Sequence, residues 1–556
     1  MRFAPPDFVH FQPQAFDGAR PGAGLRSVRL FAFVAACTAA SAFAAEEPVL
    51  TRPDALSVPR TEAAATPADT TAASSIFDFT QVEKLARDSA ASPYVSQLGD
   101  AGAFFKGLGY DQFTDIRYDK KKALWHDLGL PFEIEFFHPG SLFAKTVLIN
   151  EVVDGHSVPI PFRLENFDYG KDLVIPPGTP PPPGFAGFRA HYNLNSAAYK
   201  DELVAFLGPT YFRALGQHEQ YGLSARALAL ETGLPKAEEF PYFEQFWLVR
   251  PAPGATSLVI YALLNSPSVA GAYRFEVHPG ADTVMDVTST LYFRNSVDRV
   301  GIAPLSSMYW YGENSLSHPS DWRPMVHDSD GLLIANRANP MLWQWRPLDV
   351  APYARWSDYP QKELAGFGLQ QRARNYRDYL DLEALYHRRP SAWVETQGDW
   401  GAGTVQLLEL TPVKEFNDNV VAFWTPSTPP VVGEASRWQY RLHWSAQAPE
   451  PAAVSRVLST RRGRSLENDD NYFIIEFDRP PTDGPPSPVP EAEWQLGPGA
   501  LLRDYHVTAN PETGGWRVAL RVRFQPDATS AELKCQLYVH GAPMSEQWIY
   551  LWTPTP

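Results

Sequence analysis

With 556 residues, the chain is longer than one ordinary domain, which predicts two or more domains. Its formal net charge of −15 argues against a nucleic-acid groove or an anionic membrane surface as the main partner. The two cysteines, Cys37 and Cys535, are too few for a disulfide framework or a cysteine-based zinc site, and we expect Cys535 to be a buried apolar residue.

The amino terminus predicts export. Arg26 and Arg29 precede a short apolar run, which is followed by small residues up to Ala44 and Ala45. This pattern is typical of a Sec-type signal peptide, which we assign to residues 1–45. The next segment, 46–75, is rich in Ala, Thr and Pro and predicts a flexible tether. Residues 34–37 also match a lipoprotein cleavage box, so lipid anchoring at Cys37 is the minor alternative.

Beyond the tether, the alternation of apolar and polar residues predicts strands along most of the chain, from residue 132 onward. Helices are predicted at residues 77–85, 118–125, 201–207 and 375–388. A proline-rich break, TPSTPPVVGEAS, predicts an interdomain linker at residues 425–436. The predicted fold class is therefore mainly β, with the boundaries that follow. A large antiparallel β-sandwich domain with helical insertions spans 76–424, and a small Ig-like β-sandwich domain spans 437–556.

Acids, arginines and large aromatic residues alternate between residues 323 and 400, with glycines among them. Sugars are bound by such a mixture, because aromatic faces cover the C–H side of a pyranose and charged groups bond its hydroxyls. Taken singly, each tryptophan also fits a core position, and His327 fits a hydrogen-bonded structural residue. No metal or cofactor is expected, since no H-x-x-x-H spacing accompanies the acids. The predicted substrate-binding residues are Arg323, His327, Asp328, Asp330, Trp345, Arg346, Arg372, Arg374, Glu383, Arg389, Trp393 and Trp400.

Long motifs follow one another in a fixed order between residues 77 and 444. They include FFHPG (136–140), DELVAFLGPTYFRALG (201–216), RPMVHDSDG (323–331), GFGLQQRAR (366–374), DLEALYHRRPSAWVE (381–395) and GDWGAG (398–403). Together they resemble the periplasmic glucan biosynthesis proteins of the OpgG/OpgD (MdoG/MdoD) type. The resemblance implies a large β-sandwich joined to a small Ig-like domain, and residence in the periplasm. It also implies a role in osmoregulated periplasmic glucan biosynthesis, as a glycoside hydrolase or inverting transglycosylase acting on β-1,2-glucan.

An inverting reaction needs a protonated carboxyl as general acid and a second carboxylate as base. The resemblance implies that Asp381 is the acid; without it, an exposed helical Asp paired with Arg377 is the simpler interpretation. Asp286 is the first candidate base, because strand alternation puts it on one face with hydroxyl and tyrosine side chains. A solvated outer face explains that pattern equally well. Asp328 and Asp330 are the competing bases, although Asx-turns also account for them.

The sequence departs from the family pattern at two places. Ala373 stands where the family's Q-R-D-R motif has an acid, and residues 340–342 replace a customary Gly-Glu pair. Loss of an acid near the catalytic segment predicts weak hydrolysis or a sugar hydroxyl as acceptor in place of water. The alternative is a non-catalytic glucan-binding partner of the inner-membrane glucan synthase, and a third hypothesis is a structural partner that docks through the Ig-like domain. The sequence is also compatible with a homodimer.

Overall fold

The computed structural model describes residues 76–316, 320–447, 449, 454–479 and 488–554. The predicted signal peptide, the tether and the lipid anchor at Cys37 therefore lie outside the described residues. Across the described part of the chain, no helix is both long and apolar enough to cross a membrane. The helices are α1 Phe79–Ala90, α2 Ala103–Lys106, α3 Tyr110–Asp115 and α4 Tyr376–Tyr379, with 3-10 turns at Lys120–Lys122, Leu164–Asn166 and Tyr386–Arg388.

Strands account for most of the ordered elements. The first are β1 Gly99–Asp100, β2 Arg117–Tyr118, β3 Glu133–Phe137, β4 Lys145–Thr146, β5 Leu148–Val153, β6 His156–Pro159, β7 Phe167–Asp168, β8 Gly187–Tyr192, β9 Asp201–Leu207, β10 Tyr211–Ala214, β11 Ser224–Arg226 and β12 Leu228–Leu230. The central ones are β13 Tyr242–Val249, β14 Leu258–Asn265, β15 Val269–His278, β16 Thr283–Phe293, β17 Val300–Ser307, β18 Tyr309–Tyr311, β19 Val326–His327, β20 Gly331–Asn336, β21 Trp343–Pro347, β22 Arg355–Gln361, β23 Leu364–Gln370, β24 Ser391–Gln397, β25 Gly403–Glu409 and β26 Val420–Pro426. The last are β27 Ala435–Ser445, β28 Val457–Arg464, β29 Asp470–Phe477, β30 Glu491–Leu496, β31 Ala500–Asn510, β32 Gly515–Phe524, β33 Ala531–Val539, β34 Ala542–Pro543 and β35 Gln547–Trp552.

Two large sheets form the main body of the protein. Sheet A runs in the order β22-β25-β26-β17-β11-β10-β9-β8-β3, and sheet B runs β30-β33-β35-β21-β20-β23-β24-β27-β16-β15-β14-β13-β5-β6. Phe206 of sheet A meets Phe275 of sheet B edge to face, with ring centroids 5.2 Å apart. Because both rings are fully buried, the hydrophobic core lies between the two sheets. The prediction of a mainly β fold with large antiparallel sheets is confirmed.

The structure confirms one of the predicted helices and shows a strand in place of another. Helix α1 confirms the prediction at residues 77–85. Asp78 caps its amino terminus, and Val82 and Ala86 form its buried face. Residues 201–207 were predicted as a helix, but they form β9, which is paired on both sides by β8 and β10. A short apolar run of this kind fits a buried strand as well as a helix, so the periodicity misled the prediction.

Residues 375–388 do not form the single helix that their spacing predicts. Only α4 and the 3-10 turn at Tyr386–Arg388 are helical. Leu380 and Leu385 adopt the left-handed conformation, with φ of 55° and 50°, which interrupts a right-handed helix at both places. Residues 118–125 likewise contain only the 3-10 turn Lys120–Lys122.

The predicted linker at 425–436 joins β26 of sheet A to β27 of sheet B. Strand β27 pairs with β16 over residues 435–444 and with β24 over residues 439–445, so it belongs to the large sandwich. The carboxy-terminal strands therefore begin after Ser445 and not at residue 437. This correction has a simple cause: a proline-rich crossover between two sheets resembles a linker between two domains.

The carboxy-terminal strands form a second two-layer unit. One layer is the sheet β28-β29-β32-β31, and the other consists of β30, β33 and β35 at the end of sheet B. Strand β35 pairs in parallel with β21, so the backbone hydrogen bonding continues from the large sandwich into this unit. Cys535 is 1% exposed in its core, which confirms that it is buried. That the unit is Ig-like in its topology stays a prediction.

A buried ion pair fixes the carboxy-terminal unit to the large sandwich. Glu546 is fully buried and accepts hydrogen bonds from the Arg372 guanidinium at 2.8 and 2.7 Å, and from the Val457 N–H at 2.8 Å. The guanidinium lies 3.7 Å from the centre of the Trp345 ring. The carboxylate is thereby neutralised and hydrogen-bonded, as a buried charge requires.

We expect Arg372→Ala to lower the free energy of unfolding by about 3 kcal/mol, because it leaves Glu546 as a buried, unpaired charge. Urea denaturation measures the change. Arg503→Ala is the control, since this exposed arginine of β31 should change stability by less than about 0.5 kcal/mol. An Arg372→Ala protein as stable as the wild type would contradict the role of the ion pair.

Candidate functional site

Arg323 joins three carboxylates that come from distant parts of the chain. Its Nη1 donates to Asp381 at 3.0 Å and to Glu415 at 2.6 Å. Its Nη2 donates to Glu415 at 2.7 Å and to Asp321 at 2.6 Å, and its Nε donates to Asp321 at 3.0 Å. We call these four residues the Arg323 cluster. They place three acids around one planar cation in a partly buried position.

Asp381 is held at both of its oxygens. Oδ1 accepts hydrogen bonds from the backbone N–H groups of Glu383 at 2.8 Å and Ala384 at 2.7 Å, while Oδ2 accepts one from Arg323 at 3.0 Å. The left-handed conformation of Leu380 ends α4 and turns Asp381 toward the cluster, where it is 6% exposed. Its ion-pair partner is Arg323 and not Arg377, so the simple helical pairing does not occur.

Asp321, Glu415 and Arg323 are charged at neutral pH. Hydrogen bonds from Arg323 lower the pKa of Asp321 to about 2. Burial alone raises the pKa of Glu415, but hydrogen bonds from Arg323 and from the Tyr386 hydroxyl at 2.5 Å outweigh it and hold this pKa below its ordinary value. Hydrogen bonds to Glu415 and Asp321 in turn raise the pKa of Arg323, which therefore stays protonated.

A pocket of about 490 Å³ opens beside the Arg323 cluster. Its volume lies within the range of small-molecule sites. Trp322, which is 69% exposed, stands between Asp321 and Arg323 in the sequence, and Leu382, which is 74% exposed, follows Asp381. We call this space the polar pocket; its lining residues are Glu313, Asp321, Arg323, Pro324, Met325, Arg377, Asp378 and Arg461.

Glu313 forms part of the pocket wall that meets the carboxy-terminal unit. Its Oε1 accepts the Thr460 N–H at 2.6 Å, and its Oε2 lies 3.4 Å from Nη2 of Arg461. Burial raises the pKa of Glu313 to about 7, and the bond from Thr460 only partly opposes this shift. Glu313 is therefore a carboxyl that changes its charge near neutral pH.

A smaller enclosed cavity of about 50 Å³ lies behind Glu313 and is large enough for water. His327, Asp330 and Ala373 line it, and Oδ1 of Asp330 is buried with no protein hydrogen bond. Oδ2 of Asp330 accepts the N–H groups of Arg372 and Ala373, and burial raises the pKa of Asp330. The alanine that departs from the family pattern thus faces this cavity.

Two other residues of the HDSDG segment have structural contacts. His327 stacks on Tyr309 and bonds Gln371 at 2.9 Å; burial lowers its pKa to about 3, so the ring is neutral. Asp328 forms a buried ion pair with Arg389, which also bonds the Ala384 carbonyl at 3.3 Å. Asp328 and Arg389 therefore lie one contact away from the segment that holds Asp381.

Most of the other predicted binding residues lie away from the Arg323 cluster. Arg346 pairs with buried Glu409, Arg372 pairs with Glu546, and Arg374 bonds the Ser391 hydroxyl. Glu383 is exposed next to Asp381. The tryptophans are core residues: Trp345 and Trp393 pack in the core of the carboxy-terminal unit, and Trp400 packs against Trp438 in the large sandwich.

Asp286 lies on β16 of sheet B with its side chain one-third exposed. Oδ1 accepts Nε of Arg441 at 2.9 Å, and Oδ2 lies 3.2 Å from Nε2 of His278. Its partners belong to β15 and β27, and they are not members of the Arg323 cluster. Of the predicted residues, Arg323 and Asp381 therefore meet within the cluster, whereas Asp286 lies outside it.

Sequence reasoning missed Asp321, Glu415, Glu313 and Arg461. Asp321 stands two residues before Arg323, so an extension of the functional segment by two positions would have found it. Glu415 lies 92 residues beyond Arg323, and Arg461 lies in the carboxy-terminal unit. No local spacing signals such contacts. Within the described residues, no group of His, Cys, Asp or Glu side chains is arranged to hold a metal ion.

Comparison with known proteins gives a consistent result. A family model described as "Periplasmic glucan biosynthesis protein, MdoG" matches residues 77–552. A glucans biosynthesis protein G of Rhodopseudomonas palustris (strain BisA53) is 40% identical over 477 residues, which cover 86% of this chain and 93% of that protein. A glucans biosynthesis protein D 1 of Ralstonia nicotianae is 40% identical over 517 residues, covering 89% and 95%. A protein G of Serratia proteamaculans is 38% identical over 486 residues, covering 85% and 92%.

Glu313 predicts a pH dependence of stability. Its pKa is raised from 4.5 to about 7, so the native protein holds this proton more tightly than the unfolded chain. The stabilisation is complete below pH 4.5 and is lost as the pH rises through 7, by roughly 3 kcal/mol. Relative to Glu313→Gln, the wild type should lose thermal stability across that interval. Glu512→Gln, at an exposed position, is the control, and parallel pH profiles for wild type and Glu313→Gln would refute the assignment.

Proposed function

The chain belongs to the MdoG family of periplasmic glucan biosynthesis proteins, and from this premise we propose that it cleaves or transfers linear β-1,2-glucan by an inverting acid–base mechanism. Its role in periplasmic glucan biosynthesis follows from the family. The observation that supports the enzymatic proposal is the contact of Asp381 with Arg323, which lines a pocket of about 490 Å³.

Asp381 is proposed as the general acid, acting through Oδ2. Its Oδ1 is already occupied by two backbone N–H bonds, whereas Oδ2 has the single contact with Nη1 of Arg323. That nitrogen also donates to Glu415 at the shorter distance of 2.6 Å. Release of Oδ2 would therefore leave Nη1 hydrogen-bonded, which lowers the cost of placing a proton on Asp381.

In the proposed step, the Asp381 proton moves to the glycosidic oxygen as the C1–O bond breaks. The oxygen of water or of a sugar hydroxyl bonds to C1 from the opposite face, and its proton passes to a second carboxylate. The product therefore has the inverted configuration at C1. Arg323 stays charged throughout and stabilises the Asp381 carboxylate that the proton leaves behind.

Two carboxylates compete for the role of base. Asp286 is a candidate because it shares one face of its strand with hydroxyl and tyrosine side chains. Its contacts with Arg441 and His278 fix its orientation. Glu313 is the candidate from the pocket, since it lines the same space as Arg323 and has a pKa of about 7, which suits proton transfer near neutral pH. The proposal requires that one of the two accepts the proton.

Incubation of the full-length protein with linear β-1,2-glucan tests the activity. We expect new oligosaccharides or cyclic products by mass spectrometry, and an initial α-anomer by NMR. Asp381→Asn should reduce turnover roughly 10³-fold, because it removes the proton donor. Asp527→Asn, an exposed aspartate of the carboxy-terminal unit, should leave turnover unchanged. A fully active Asp381→Asn protein, or a β-anomer as the first product, would exclude the mechanism.

Azide distinguishes the candidate bases. A base variant should lose turnover and regain it with added azide, since this anion attacks C1 without giving up a proton. We expect this rescue, with an α-glucosyl azide as product, for either Asp286→Asn or Glu313→Gln. Asp381→Asn, which lacks the acid and not the base, should show no rescue. Full activity of both base variants would remove both candidates.

The second candidate function is a non-catalytic glucan-binding protein that assists the inner-membrane glucan synthase. The observation in its favour is that hydrogen-bond donors from Arg323 and the backbone already occupy both oxygens of Asp381. Tight binding of linear β-1,2-glucan without any product would establish this function in place of the enzymatic one.

A further inference from the structure

The polar pocket is built by both structural units. Arg323 and Asp321 lie between β18 and β19 of the large sandwich, and Arg377 lies on α4. Arg461 lies on β28, which belongs to the carboxy-terminal unit. The carboxy-terminal unit therefore supplies a charged side chain to the pocket beside Asp381.

Strand β28 is fixed where it meets this pocket. Thr460, next to Arg461, donates its N–H to Glu313 at 2.6 Å. Val457 of the same strand bonds Glu546, which is tied to Arg372 of the large sandwich. A side chain on a strand held at two points can be positioned accurately for a ligand. The connection is thus rigid enough to serve a binding site that spans both units.

The chemistry of the pocket suits a neutral, polyhydroxylated ligand. The guanidinium groups of three arginines in its lining can donate hydrogen bonds to a ligand, and the carboxyls of Glu313, Asp321 and Asp378 can accept them. Acids outnumber arginines here once Asp381 and Glu415, which contact Arg323, are included, so an anion such as a phosphate is disfavoured. A sugar hydroxyl both donates and accepts, and it can bond a neighbouring acid and arginine together.

Arg461 has more freedom to bind a ligand than Arg323. Its side chain is 65% exposed, and its ion pair with Glu313 is long, at 3.4 Å. Arg323, by contrast, is 12% exposed and already bonds three carboxylates. A sugar hydroxyl placed between Arg461 and Glu313 would therefore replace only a weak, solvated contact.

We propose that the carboxy-terminal unit takes part in substrate binding, and that Arg461 together with Glu313 forms a subsite for the hydroxyl groups of a glucose unit next to the one at Asp381. This inference rests on the proposed function, because it names linear β-1,2-glucan as the ligand. Arg461 binds and positions the chain; it transfers no proton.

Binding is measured by titration calorimetry with linear β-1,2-glucan in the Asp381→Asn background, so that turnover does not disturb it. We expect Arg461→Ala to weaken binding about tenfold, equivalent to the loss of one charge-assisted hydrogen bond. Arg461→Lys should recover part of the affinity. Arg464→Ala, an exposed arginine of the same strand outside the pocket, should bind as tightly as the background protein.

In the active protein, Arg461→Ala should raise KM about tenfold and leave kcat and the midpoint of thermal unfolding unchanged, a split that a merely structural residue would not produce. Unchanged affinity in Arg461→Ala would overturn the subsite and leave the proposed function standing. Binding that depends on Arg461 but occurs without turnover would support the subsite and overturn the enzymatic proposal. Failure of the wild type to bind the glucan would overturn both.

Discussion

One guanidinium holds the candidate site together. Arg323 bonds Asp321, Asp381 and Glu415, and the last two lie 58 and 92 residues further along the chain. Three carboxylates at such short range would repel one another strongly without a cation between them. The planar fork of an arginine can bond several of them at once, whereas a lysine ammonium presents a single charged point. The geometry of three separate loops therefore depends on this one side chain.

The same principle recurs where the two units of the protein meet. Glu546 is buried with Arg372, Asp349 accepts from Arg462 and from the Tyr550 hydroxyl, and Glu313 accepts from the backbone of β28. Strand β35 also continues sheet B beyond β21. Backbone pairing and buried charge thus join the carboxy-terminal unit to the sandwich, and this attachment places β28 against the pocket. A role of the carboxy-terminal unit at the pocket explains this attachment better than an independent domain would.

Most aromatic residues predicted to bind sugar in the segment 323–400 have structural positions in the folded protein. These residues suggested a sugar-binding wall, yet Trp345, Trp393 and Trp400 are all buried in hydrophobic cores. The aromatic side chain that lies exposed at the site is Trp322, one residue before the segment begins. The arginines of the same segment also have different roles. Arg323 pairs with the acids of the cluster, while Arg346 and Arg372 neutralise buried glutamates. Composition pointed to the segment that carries Arg323 and Asp381, but it did not separate residues near the pocket from residues buried in the cores.

The sequence by itself determined the mainly β architecture, because alternation with a period of two residues is a local property that each strand carries. Its motifs also determined the family, and they pointed to Asp381 and Arg323. The tertiary structure decided the rest. It turned residues 201–207 into a strand by pairing them on both sides, and it broke 375–388 at two left-handed leucines. It brought Glu415 to Arg323 and Arg461 to the pocket, since contacts between residues so far apart arise only when sheets pack and charges are buried together.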